Sequence, residues 1–279
     1  MWPATFPIDL PPTVFKILRD LIHDHAGIHF DDAKRGILAE KLSPRVVECG
    51  LTTFLDYYYL LKYGPGSEQE WPAVTDALSV PETYFWREID QIQAFVEQLL
   101  PAYVKMFPGR TIRIWCGACC TGEEPLTIAM ALNETGWFQR ASFEIFASDA
   151  SPAAIAKARQ GIYRDRSFRA LSPELKEKYF LATAGGWQIN PELHSGVHWS
   201  VANLIKSAEI APFVESPFIF CRNVFIYFST EMIARTVDQF ASQMARPGYL
   251  FIGAAESLLK VTDEFDLQQV GDAFVYTLN

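Results

Sequence analysis

Between Arg113 and Met130 the chain reads RIWCGACCTGEEPLTIAM, and no other stretch limits the fold so tightly. An apolar run (Ile112, Ile114, Trp115) has the look of a strand, passes into a loop of small residues from Cys116 to Gly122, and continues as a helix. That order sets a tight turn at the carboxyl end of a strand with a helix N-terminus beside it. Open α/β sheets bind nucleotide-like ligands at that position. Two adjacent carboxylates, Glu123 and Glu124, stand where a dinucleotide site would hold its pyrophosphate. A bare helix N-terminus attracts an anion, and carboxylates placed on it cancel that field. The loop therefore suits a nucleoside whose other end is positive, and S-adenosylmethionine, with its sulfonium and ammonium groups, meets that requirement.

Other nucleotide sites fit less well. The G-x-G-x-x-G fingerprint is absent, because the loop offers only Gly117 and Gly122, and a P-loop lysine and hydroxyl are absent too. A second strand, Phe143 to Ala147, ends at Asp149. A carboxylate there can accept both ribose hydroxyls of a nucleoside; the competing role is to cap the next helix, with Ser151 as a rival cap. Thr121-x-x-Glu124 fits a capping box, so one glutamate of the pair can be structural while the other faces a ligand ammonium.

Composition narrows the class. With 279 residues, 49% hydrophobic and 20% charged, the chain can form a large core and is expected to hold two domains. Its net charge of −9 lacks the basic footprint of phosphate-backbone binding, so nucleic acid is not an expected partner. The start, MWPATFPIDLPP, has neither a basic segment nor an apolar core of a leader, and no run is long enough to span a membrane. A cytoplasmic protein is expected. The five cysteines include Cys116-x-x-Cys119, but zinc would need a second close pair; small side chains in a loop packed on a ligand explain them better, and no metal is expected. His23, His25 and His29 near a helix end, and His194 and His198 in an expected hairpin, read as solvated side chains.

Along the chain, residues 1–80 read as four helices. The first follows Pro11 and Pro12 and closes at Gly27, the second is capped by Asp31, the third ends at Gly64-Pro65-Gly66, and the fourth runs from about Glu68 to Leu78. Residues 81–279 alternate strands and helices, which predicts a doubly wound, mostly parallel α/β sheet. A small antiparallel excursion is expected at 179–198, and Tyr249–Gly253 with Ala273–Leu278 as an antiparallel closing hairpin.

GACCTGEEP followed by TIAM, PETYFWRE at 81–88, ASD at 147–149 followed by KARQGIY, CRNVFIYF at 221–228 and GAAES at 253–257 together resemble the methyltransferases of bacterial chemotaxis receptors. The likeness spans essentially the whole chain, including KRGILAEKLSPR in the helical part. It implies a class I S-adenosylmethionine-dependent methyltransferase fold behind a small all-α, receptor-docking domain. The implied reaction esterifies glutamate side chains on the cytoplasmic helices of methyl-accepting chemoreceptors and leaves S-adenosylhomocysteine. Thr83, Arg87, Glu123, Glu124, Asp149, Asn203, Leu204, Arg222 and Asn223 would line the cofactor site. The chain departs from the family pattern at Pro81, at Leu126-Thr127 and at Ala254-Ala255.

Such a reaction needs no base, because a glutamate of pKa about 4.3 is already ionised at neutral pH. Alignment then supplies the rate, and Arg87 and Tyr227 are the expected holders of the acceptor. The plainer roles are a surface ion pair of Arg87 with Glu88 or Asp90, and core packing for Tyr227. Lys34, Lys41 and Arg45 fall within about 40° on a helical projection, a basic stripe that could orient receptor glutamates or simply be a solvated face. Two further readings share parts of this pattern: a non-catalytic S-adenosylmethionine-binding docking module, and a small-molecule carboxyl methyltransferase. A nucleic-acid amino-methyltransferase would carry Asn/Asp-Pro-Pro-Tyr/Phe where Arg222-Asn223-Val224-Phe225 stands.

Overall fold

The computed structural model describes residues 7–278; Met1–Phe6, part of the segment read for a leader, lie outside them. The chain forms two compact units. One is the chain up to Val80 with Ala150–Pro152 and Tyr227–Ser229; the other comprises Pro81–Asp149, Ala153–Ile226 and the chain from Thr230 onward.

The first unit is built on the helices Pro12–Ala26, Arg35–Glu48, Phe54–Tyr63 and Ser67–Leu78. Pro12 occupies the first helical turn, where its missing N–H is no loss. Gly27 at φ 77° closes that helix by donating to the His23 carbonyl. The Asp31 carboxylate accepts from the Lys34 amide and caps a short 3-10 turn leading into the second helix. Phe15, Leu18, Ile22, Leu38, Leu42, Val46, Leu61 and Val74 form the core.

Inside this unit the Glu70 carboxylate is buried and takes a two-pronged contact from Arg45, at 2.9 and 2.6 Å, and the Tyr57 hydroxyl at 2.6 Å. Burial pushes the Glu70 carboxyl up, but the Arg45 and Tyr57 hydrogen bonds outweigh it and hold it below its ordinary value. The Lys41 ammonium donates to the carbonyls of Ala77, Leu78 and Ser79, at 3.1 to 3.3 Å, and so neutralises the C-terminal end of the fourth helix. The expected basic stripe is therefore corrected. Lys41 and Arg45 are bound within the helical unit, and Lys34 lies in the 3-10 turn, exposed and 3.5 Å from Asp31.

In the second unit the strands are β1 (Ile112–Gly117), β2 (Phe143–Asp149), β3 (Ile162–Tyr163), β4 (Phe180–Thr183), β5 (Gly186–Ile189), β6 (Val197–Val201), β7 (Phe218–Phe220), β8 (Gly248–Phe251), β9 (Asp266–Val270) and β10 (Ala273–Leu278). Seven of them make one sheet in the order β6-β2-β1-β7-β8-β10-β9. The first five run parallel, and β10 is antiparallel to both its neighbours. Gly117 pairs with Ser148, Asp149 with Val201, and Phe220 with Phe251, so the carboxyl ends of the parallel strands lie level and their loops emerge together. Cys116, Phe218, Phe220 and Phe251 bury the middle of the sheet, with Phe95 edge-on to Phe218 at 4.8 Å.

Two details differ from the sequence expectation. The antiparallel excursion is present as expected but gains a third strand, β3, giving the order β3-β5-β4; His194 sits in the helix Pro191–Ser195 and His198 in β6 of the large sheet, not in a hairpin. The partner of β10 in the terminal hairpin is β9, which separates it in sequence from β8. The residues of β9 carry no burial alternation, since nearly all are exposed, and without that period a strand leaves no hydrophobic signature.

Candidate active site

The loop after β1 is held in an unusual backbone conformation. Ala118 (φ 61°), Cys120 (φ 52°) and Gly122 (φ 95°) all lie in the left-handed region, and a Cβ on Gly122 would come within 2.8 Å of the Trp199 ring. Such conformations persist where surrounding bonds over-determine them. Here the Cys119 amide donates to the Ser148 carbonyl at 2.9 Å and the Cys120 amide to Asp149 Oδ2 at 2.8 Å. Asp149 thus stands at the end of β2 with one oxygen latched to the loop. Burial pushes the Cys116 and Cys119 thiols well up, so both stay neutral in the packed loop. Gly117 lies under Leu204: a Cβ there would be 3.1 Å from the leucine side chain. Asn203 is buried, its Oδ1 accepting from the Ile205 amide and its backbone N–H donating to Glu209 Oε2.

The paired glutamates separate cleanly. Glu123, 2% exposed, accepts from Thr121 Oγ1 at 2.6 Å and Ser167 Oγ at 2.9 Å. The Thr121–Glu124 capping box does not form, because Gly122 is the cap residue and the Thr121 hydroxyl turns to Glu123 instead. Glu124 lies 3.2 Å from Arg222 Nη1. Its carboxyl is pushed up to about 7 by burial, against the pull of Arg222 and Arg87 and with help from the negative charges of Glu88 and Glu256.

Arg222 is the centre of the arrangement. Its side chain is 2% exposed, and Nη2 donates to Glu88 Oε2 at 3.1 Å and to the Arg87 carbonyl at 2.7 Å. Its Nε is buried with no partner among the described residues. Asn223, at φ 58°, donates its side-chain amide to Glu88 Oε1 at 3.1 Å and its backbone amide to Glu256 Oε2 at 2.9 Å. Glu256 also accepts from the Gly253 and Ile226 amides, at 2.6 and 3.2 Å. Glu88 and Glu256 are thus members of the cluster that the sequence-derived site left out. Their signal lay inside quoted motifs, as the last residue of PETYFWRE and the acid of GAAES.

Of the remaining expected residues, Thr83 is half-buried in the segment ending at Glu88, a segment with left-handed backbone at Trp86 and Glu88. Arg87 donates to the Glu82 carbonyl at 2.6 Å, sits over the Tyr84 ring, and approaches Glu88 at 4.0 Å. Tyr227 belongs to the helical unit, where its carbonyl accepts from the His29 amide at 2.7 Å.

Residues 81–274 match the family model "CheR methyltransferase, SAM binding domain", and residues 13–79 match "CheR methyltransferase, all-alpha domain". The chain belongs to the CheR methyltransferase family. Chemotaxis protein methyltransferase 2 of Vibrio cholerae serotype O1 is 34% identical over 265 residues, covering 94% of this chain and 91% of the relative. Chemotaxis protein methyltransferase 1 of Pseudomonas aeruginosa is 29% identical, with 94% and 96% covered. The Escherichia coli chemotaxis protein methyltransferase is 32% identical, with 91% and 87% covered.

As a CheR family member the chain is an S-adenosylmethionine-dependent methyltransferase, and its sheet is that of the class I enzymes, as the motifs predicted. The residues present fit that cofactor. A carboxylate closes β2 beside a loop that Cβ atoms would fill, and a buried guanidinium with an unsatisfied Nε stands among carboxylates. Donors and acceptors of both signs suit a zwitterionic amino-acid end, and an anionic pyrophosphate would meet the carboxylates. Among the described residues, no helix is long and apolar enough to cross a membrane.

The raised Glu124 carboxyl carries a pH prediction. Between about pH 4.5 and 7 the folded chain keeps a proton that the unfolded chain has released, so stability falls as pH rises through that window and levels off above it. Melting curves from pH 5 to 8 should fall more steeply for the wild type than for Glu124→Gln, in which that term is removed. Parallel curves would refute it.

Proposed function

We propose that the chain transfers a methyl group from S-adenosylmethionine to glutamate side chains on the cytoplasmic helices of a methyl-accepting chemoreceptor, in the adaptation of chemosensory signalling. The observation that carries this reading is the ionic cluster Glu88–Arg222–Glu124 beside the loop latched to Asp149, on a chain that matches the chemotaxis methyltransferases along nearly its whole length. When bound, the cofactor would supply an electrophilic methyl carbon to the carboxylate oxygen, with the carbon–sulfur electron pair staying on sulfur.

The residues of the chain bind and orient. Asp149 accepts the ribose hydroxyls, its position fixed by the Cys120 amide. Arg222 and Glu124 face the carboxylate and ammonium of the amino-acid end, while Thr83, Asn203, Leu204 and Asn223 complete the lining. Glu123, bound to Thr121 and Ser167, shapes the helix start behind it. Arg87 holds the acceptor carboxylate, which arrives ionised and needs no proton removed. Rate comes from alignment. The helical unit docks the receptor, with Lys34 as the exposed cation of the three first assigned to that task.

Incubation with methyl-labelled cofactor and a receptor cytoplasmic fragment tests the reading. Base-labile label on glutamate is expected. Cofactor uptake with no transfer to the fragment would leave a docking module or a small-molecule enzyme in its place.

A further inference from the structure

The geometry points to Glu88 as a positioning residue that orients the Arg222 guanidinium and the Asn223 side-chain amide toward the amino-acid end of the cofactor. This inference rests on the cofactor assignment above. Glu88 occupies the cap position of the helix Ile89–Ala94, where an acidic side chain ordinarily accepts from the helix's own first amides. It makes no such bond. Its backbone instead adopts φ 47° and ψ 53°, a left-handed conformation unfavourable by roughly 1–2 kcal/mol for a residue with a Cβ.

What that conformation secures is a carboxylate aimed across the ends of two other strands. Oε2 accepts from Arg222 Nη2 at 3.1 Å and from the Ala254 amide at 3.2 Å; Oε1 accepts from Asn223 Nδ2 at 3.1 Å. Three segments meet on one side chain: its own, the loop after β7 and the loop after β8. Glu124 faces the same guanidinium from the Nη1 side, but with its carboxyl pushed up to about 7 it supplies only part of the balancing charge at neutral pH. The second carboxylate, with the Arg87 carbonyl on the same Nη2, fixes the plane of the guanidinium and leaves the buried Nε edge as the unsatisfied one. Glu88 itself stays ionised: burial pushes its carboxyl up, but Arg222, Asn223 and the Ala254 amide outweigh that.

Glu88 also acts on Glu124 through space. The groups around Glu124 are Arg222, Glu88, Arg87, Glu256 and the Cys116 thiol. Removing the Glu88 charge lowers the Glu124 pKa, so any binding step that needs Glu124 ionised persists to lower pH.

Calorimetric titration of S-adenosylhomocysteine into the wild type, Glu88→Gln and Glu88→Asp, repeated from pH 5.5 to 8.5, separates the outcomes. Glu88→Gln keeps the shape of the side chain; it should bind at least about tenfold more weakly at neutral pH, the loss of hydrogen bonds to a charged group, with the acid limb of its binding profile moved to lower pH. Glu88→Asp keeps the charge but not the reach, and should bind more weakly with its acid limb unmoved. A merely structural role would lower the melting temperature of both variants and move neither affinity nor limb. Glu88→Gln and Glu88→Asp that both bind as the wild type does would overturn the role of Glu88 alone. A wild type that takes up no S-adenosylhomocysteine would overturn the cofactor assignment itself.

Discussion

Arg222→Leu is expected to destabilise the larger unit by about 3–5 kcal/mol and to abolish measurable uptake of S-adenosylhomocysteine. The guanidinium is almost fully buried between Glu88 and Glu124, at 3.1 and 3.2 Å. Leucine fills part of the space but leaves Glu88 and Glu124 without the cation between them, with only Arg87, 4.0 Å from Glu88, nearby. Glu124, already pushed up to about 7 by burial, would then take a proton at neutral pH. A drop in melting temperature on the order of 10 °C is expected, smaller at pH 5.5 than at pH 8 because protonation relieves the repulsion. Arg222→Lys, which keeps the charge and loses the planar fork, should recover stability more than affinity. A melting temperature within a degree or two of the wild type would mean that the cluster carries no such load.

Asp149→Asn should raise the dissociation constant for S-adenosylhomocysteine roughly a hundredfold, with little change in melting temperature. Two ribose hydroxyls donating to an ionised acceptor contribute about 1.5–3 kcal/mol each, and the neutral amide retains only part of that. The amide oxygen can still accept from the Cys120 amide, so the loop should keep its shape. Steady-state kinetics should show the loss in KM for the cofactor more than in kcat, because the contact proposed for Asp149 is to the nucleoside and not to the reacting carbon. An affinity within threefold of the wild type would assign Asp149 to loop support only.

The large sheet was legible where its strands alternate with helices and where apolar runs end in small residues, as at Ile112–Gly117. It was illegible at β9, whose side chains are nearly all exposed, and at β6, an edge strand directly after a short helix. The loop after β1 and the place of Asp149 at the end of β2 could be read because position along a strand–loop–helix unit follows from the local pattern alone. The partners of side chains across the fold could not. A helical projection gathers Lys34, Lys41 and Arg45 onto one face, but it contains no information about Glu70 or the carbonyls of Ala77 to Ser79, which lie on a different helix and bind two of the three. Glu88 was hidden for the same reason. Locally it is an acid before a helix, and only the register of β7 and β8 brings Arg222, Asn223 and Ala254 to it.

The level ends of the parallel strands have a consequence for how the enzyme comes into being. Glu88, Glu124 and Glu256 are joined through Arg222 and Asn223 only after every intervening crossover has been laid down. A nascent chain that ended before the loop after β8 would therefore carry Glu88, Glu124 and Arg222 but not Glu256, and its cluster would be incomplete. Closure of the cluster during synthesis would thus mark the passage of the chain beyond Glu256, and a chain cut short of that residue should hold its ligand less well.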